Sequence, residues 1–122
     1  MNKIPFGTRS GLEVNPVSMG AMRFPEDMIE SVELIRHAID SGLVYIDSCR
    51  CYGESELKLA RALKDGYREK VFLSTKSSPW NRKIQETDDG SADSIVRRIE
   101  ESLVRLDVDY LDFYQVWSVF ND

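Results

Sequence analysis

Three ionisable side chains stand at or just beyond the ends of apolar runs: Asp47 after Leu-Val-Tyr-Ile, Tyr52 five residues on, and Lys76 after Val-Phe-Leu-Ser-Thr. A carboxylate, a phenol and an ammonium brought together make one acid-base unit. The ammonium stabilises the phenolate and lowers the tyrosine pKa from its usual value of about 10, while the carboxylate keeps the lysine charged and aimed. If a hydride reaches a carbonyl carbon from a reduced nicotinamide, the oxygen gains negative charge. A tyrosine tuned in this way can protonate it as general acid. The bland alternative is a buried Asp47–Lys76 pair with Tyr52 packed under a loop. Three polar residues on consecutive strands favour a site.

These residues need a scaffold that delivers strand ends to one place. The chain alternates short apolar runs with amphipathic helices, which is the pattern of a parallel sheet. Residues Ile4 to Val14, with Pro5, Gly7 and Gly11 around Phe6 and Leu12, predict a small N-terminal hairpin, acting as a flap or a plug. A short strand follows near Pro16 to Met19 and ends at Gly20. A helix after Pro25 takes Asp27 as its cap, places Met28, Val32, Ile35 and Ile39 at helical spacing, and stops at Gly42. Leu43 to Asp47 reads as a buried strand. Ser55 opens a second helix, with Glu56 in its first turn complementing the helix dipole, that runs to about Asp65 and Gly66. A third strand, Val71 to Thr75, leads through a polar loop to a third helix with Ile95, Ile99, Ser102 and Leu106 facing inward. Tyr110 to Trp117 is the fourth strand, ending in Trp117.

Open doubly wound sheets and closed barrels both begin this way. No glycine-rich phosphate loop follows the first strand, which counts against a doubly wound nucleotide domain. A closed eight-stranded barrel takes about 250 residues. The 122 residues present would supply roughly half of one, as a single partial domain spanning 1–122.

Composition narrows the classes further. With 42% apolar and 30% charged residues the chain has a folded composition. Its net charge of −5, with basic residues interleaved among acidic ones, argues against a nucleic-acid partner. No run approaches the length of a spanning helix and no secretory core precedes Gly11, so no membrane partner and a cytoplasmic location are expected. Cys49 and Cys51 suit neither a structural disulfide nor a zinc site, and read as reduced thiols. The only histidine, His37, lies in a helical pattern and reads as a surface or packing residue.

Across its length the chain resembles the aldo/keto reductase family. The resemblance is carried by Ser-Gly-Leu-Glu-Val at 10–14, Met-Gly-Ala-Met-Arg at 19–23 and Ala-Ile-Asp-Ser-Gly-Leu-Val-Tyr-Ile-Asp at 38–47. Tyr-Gly-Glu-Ser-Glu at 52–56, Val-Phe-Leu-Ser-Thr-Lys at 71–76 and Ser-Leu-Val-Arg-Leu-Asp-Val-Asp-Tyr-Leu-Asp-Phe-Tyr at 102–114 complete it. It implies a (β/α)8 TIM barrel, present in part as the N-terminal hairpin, strands one to four and helices one to three. It also implies reduction of aldehydes or ketones with NADPH by a tetrad of Asp, Tyr, Lys and His. Asp47, Tyr52 and Lys76 match three members of that tetrad. By the same resemblance Gly20, Ala21 and Met22 lie near the nicotinamide, and Trp80 lines the cleft for a small carbonyl substrate.

Two departures bear on the chemistry. Trp117 stands where the family usually has its histidine, and an indole donates one hydrogen bond but is neither acid nor base. The family's remaining strands, with most contacts to the cofactor's pyrophosphate and 2'-phosphate, lie outside the match. Turnover by these residues alone is therefore not expected. Two open sheet edges point to self-association or to a complementary half-barrel. The rival reading is a non-catalytic half-barrel that binds or regulates a partner chain.

Overall fold

The computed structural model describes residues 2–77 and 91–117. Trp80 and the polar stretch after Trp117 fall outside them.

The expected hairpin is present: β1 (Ile4–Pro5) pairs antiparallel with β2 (Glu13–Val14). The main sheet follows as β3 (Met19–Gly20), β4 (Tyr45–Asp47), β5 (Phe72–Ser77) and β6 (Phe113–Val116), all parallel and in sequence order. Helices α1 (Met28–Asp40), α2 (Ser55–Ala62) and α3 (Ala92–Leu106) make the crossovers. Consecutive parallel strands joined by helices form the repeating unit of a barrel wall, since each short strand needs a crossover to bring the chain back to its amino end.

Alternation along the strands divides the side chains between two faces. Ile46 and Leu73, both fully buried, face the helices. There they join Ile35 and Ile39 of α1, Leu59, Ala62 and Leu63 around α2, and Leu106 of α3 in one apolar core. The opposite face carries Tyr45, Phe72 and Phe113 near the amino ends of their strands. Phe6 of the hairpin closes this aromatic layer, its ring 5.4 Å from Tyr45 and 5.0 Å from Phe113. The hairpin is thus a plug at the amino end of the strands, leaving their carboxyl ends to other uses.

Helix ends follow local chemistry in part. Asp27 caps α1 as expected, its carboxylate accepting from the Glu30 N–H at 2.8 Å. Ser55 does not cap α2. Glu54 precedes that helix without a side-chain cap, and the Ser55 hydroxyl is instead 2.8 Å from the Ser48 hydroxyl. Helix α2 also ends earlier than the sequence pattern implies, at Ala62, where Arg36 of α1 donates to the Ala62 carbonyl at 3.0 Å and pairs with Asp65 at 2.8 Å. The inward stripe of α3 is rotated relative to expectation. Ser94, Arg98, Ser102 and Leu106 are buried, whereas Ile95 and Ile99 are only half-buried. The Arg98 stem takes an inner position while its head pairs with Glu101 at 2.6 Å.

Candidate active site

The strand register sets the site. Gly20 pairs with Asp47, Asp47 with Ser74, and Lys76 with Gln115, so the carboxyl ends of all four strands form one rim. Lys76, two residues beyond the partner of Asp47, reaches back across the sheet. Its Nζ donates to Asp47 Oδ2 at 2.5 Å and to the Ser48 carbonyl at 2.9 Å. The Lys76 side chain is 8% exposed and that of Asp47 30%, so the pair is shielded on the lysine side and open on the carboxylate side. Asp47 Oδ1 accepts a further bond from Gln115 Nε2 at 3.1 Å, and the same amide reaches Ser74 Oγ at 2.8 Å. Asp47 is thereby fixed from β5, the adjacent strand, and from β6 beyond it.

Tyr52 lies in the loop between β4 and α2, with the Lys76 ammonium 5.2 Å from its ring centroid. Two backbone bonds shape this loop: the Arg50 N–H donates to the Lys76 carbonyl at 3.1 Å and the Tyr52 N–H to the Cys49 carbonyl at 3.0 Å. Behind it, Glu56 is fully buried and accepts from Thr75 Oγ1 at 2.9 Å and Arg105 Nε at 3.0 Å. Arg105 also donates to the Gly53 carbonyl at 2.9 Å. The Tyr52 loop is therefore tied through Arg105 and Glu56 to Thr75, the residue before Lys76. Glu56 lies in the first turn of α2, as expected from the helix dipole, and is also the buried half of an ion pair with Arg105. Nothing in its sequence neighbourhood shows the second role, because Arg105 is 49 residues away.

The electrostatics correct one expectation. The Tyr52 pKa lies above its ordinary value, because burial outweighs the lowering influence of Lys76, and Cys49 and Asp47 add to the rise. Burial opposes the charge on Lys76, yet its bond to Asp47 and the carboxylate's charge hold its pKa above the usual lysine value. At neutral pH the site contains a protonated phenol beside an ammonium.

The remaining expected residues divide. Gly20 is exposed at the end of β3, and a Cβ there would meet nothing within 4 Å. Met22 is 55% exposed beside it. Ala21 is fully buried in the apolar core, so only its backbone faces the rim. Trp117 follows β6, its N–H donating to the Ser77 carbonyl at 3.0 Å, and is 43% exposed on the same rim. Gln115 joins the site beyond the residues the sequence pattern marks; its position two residues before Trp117 on an alternating strand is the signal that places it on the Asp47 face. His37 is exposed on α1.

Comparison with known proteins agrees with this architecture. The model of the aldo/keto reductase family matches residues 16–122. The chain belongs to that family, and its sheet and helices are part of a (β/α)8 barrel. It is 34% identical over 88% of its length to the aldo-keto reductase YhdN of Bacillus subtilis, and 37% identical over 84% to the methylglyoxal reductase YeaE of Escherichia coli. In each case it spans 35% of the relative. An aldo-keto reductase from Bacillus halodurans, solved in its holo form, superposes with a TM-score of 0.82 at 30% identity, covering 95% of this chain and 40% of that one. The chain thus spans well under two thirds of the length of the relatives it matches.

Proposed function

We propose that this chain, as a single partial barrel domain, carries the proton-delivering part of an NADPH-dependent carbonyl reduction site, with Tyr52 as general acid. The observation that supports this most directly is the Lys76 ammonium held by Asp47 beside a protonated Tyr52 on the carboxyl rim of the sheet. Family membership makes a nicotinamide the fitting cofactor, and the open space at Gly20, in register with Asp47, suits a flat ring. Gly20, the Ala21 backbone and Met22 would hold the nicotinamide end, which supplies the hydride when bound.

Tyr52 gives its proton to the carbonyl oxygen as that oxygen becomes negative. Lys76 stabilises the phenolate left behind, and Asp47, itself fixed by Gln115, holds the ammonium in place. Trp117, at the family's usual histidine position, offers a single N–H donor and an apolar face, which favours orientation of the carbonyl without proton exchange. Trp80, outside the described residues, is kept as a substrate-cleft residue on the family resemblance alone. Small aldehydes or ketones are the substrate class, methylglyoxal being the compound for which one relative is named.

A second reading is favoured by Trp117 and by the 35% share of the relatives' length: a non-catalytic partial barrel that pairs with another copy or a complementary partner. An NADPH titration followed by fluorescence, with solution mass recorded on the same sample, separates the two. The reductase reading expects saturable binding by the assembled species and NADPH oxidation when methylglyoxal is added. A folded, associating chain that leaves NADPH fluorescence unchanged would overturn it in favour of the pairing role.

A further inference from the structure

The chemistry assigned to Tyr52 makes no use of the two thiols beside it. Cys49 and Cys51 are both free, and their sulfur atoms stand 2.7 Å apart. Cys49 is 1% exposed, whereas Cys51 is half-buried and so partly open to solvent. The turn holds this approach: the Arg50 N–H is bound to the Lys76 carbonyl, the Tyr52 N–H to the Cys49 carbonyl, and the Cys51 N–H points at Cys49 Sγ at 3.4 Å. A sulfur–sulfur bond of about 2 Å is within reach of small side-chain rotations.

We propose that Cys49 and Cys51 form a dithiol that is oxidised by a low-molecular-weight disulfide, and that its closure resets the Tyr52 loop. In the first step the Cys51 thiolate attacks one sulfur of the small disulfide, whose S–S bond breaks and releases one small thiolate. In the second, Cys49 loses its proton to solvent and attacks Cys51 Sγ, and the second small thiolate leaves. The two protein thiols have then given two electrons and two protons, and the oxidant has become two small thiols. Cys51 is the attacking residue because Cys49 is shielded; burial, reinforced by the Cys51 neighbour, pushes the Cys49 thiol up to about 12.

The connection to the site is direct. Tyr52 follows Cys51 in the chain and is bonded to the Cys49 carbonyl, and Cys49 interacts electrostatically with both Tyr52 and Lys76. Oxidation removes both thiols, including Cys49 beside the phenol, and links the two ends of the turn that leads into Tyr52. The effect on reduction rests on the Tyr52 role proposed above; the thiol chemistry does not.

The test uses the 122-residue chain and oxidised glutathione as probe, read by intact mass and free-thiol titration. The expected product is a single chain lighter by two hydrogens, with no thiol left and no glutathione attached, restored by dithiothreitol. Cys49→Ser, checked for folding by circular dichroism, should instead keep one glutathione on Cys51. Persistent free thiols, a stable glutathione adduct on the unsubstituted chain, or a disulfide between chains would each overturn the proposal. Tyrosine ionisation is then followed by ultraviolet absorbance in the reduced and oxidised chain, with Tyr52→Phe identifying the relevant component. A shift confined to that component supports the coupling, and superimposable curves refute it. Neither readout needs NADPH, so a failure of the reductase reading remains distinguishable.

Discussion

The proton on Tyr52 is held by burial, and the neighbouring ammonium only moderates that hold. This sign differs from the one expected from residue types, because a sequence shows which charges are adjacent but not how much water they lose. Removing the ammonium leaves the upward influences of burial, Cys49 and Asp47 in place. Lys76→Met is therefore expected to raise the Tyr52 pKa further, read as an alkaline displacement of one tyrosine component in an ultraviolet titration. For the same reason the reduction rate should be level through neutral pH and fall only above the ordinary tyrosine value of about 10, where the acid ionises. A rate that falls between pH 6 and 8 would place the proton on another group.

At the scale of elements, the parallel strands and their crossovers were legible because apolar runs and amphipathic helices alternate, with a clear stop for α1 at Gly42, which has a positive φ. The capping and the end of α2 and the α3 stripe were not. Ser55 spends its hydroxyl on Ser48, and Arg98 occupies an inner position through its apolar stem, choices made by tertiary partners rather than local propensity. Asp47, Tyr52 and Lys76 could be read from strand ends, whereas Glu56 and Gln115 emerge only from the register and from a helix far along the chain. Two substitutions test these links. Glu56→Gln leaves Arg105 without its charge partner and should cost about 3 kcal/mol, measured by urea unfolding. Leu73→Ala, at a fully buried position between sheet and helices, should cost about 2–5 kcal/mol in the same assay. Losses near zero would mean that α2 and α3 are not seated on the sheet as described.

For the whole molecule, four partly buried groups that ionise at alkaline pH act in one direction. Lys76, Tyr52, Tyr114 and Cys49 all have folded pKa values above their ordinary ones. A raised folded pKa contributes stability that is complete below the unfolded value and is lost as pH rises through the folded value. The melting temperature should accordingly decline once pH passes the ordinary Cys49 value of 9.0 and continue falling toward about 12. A flat profile across that range would contradict the burial of these groups. The two free sheet edges among the described residues, β3 and β6, place assembly at the same scale, since an exposed strand edge invites pairing.

The central claim is that Tyr52 delivers the proton in an NADPH-dependent reduction. The most direct measurement is single-turnover oxidation of bound NADPH by methylglyoxal, for the assembled species of the chain and of Tyr52→Phe, after a titration shows that both bind the cofactor. The account predicts equal binding and a rate about 10²–10⁴-fold lower in Tyr52→Phe. Equal rates in the two proteins would contradict it.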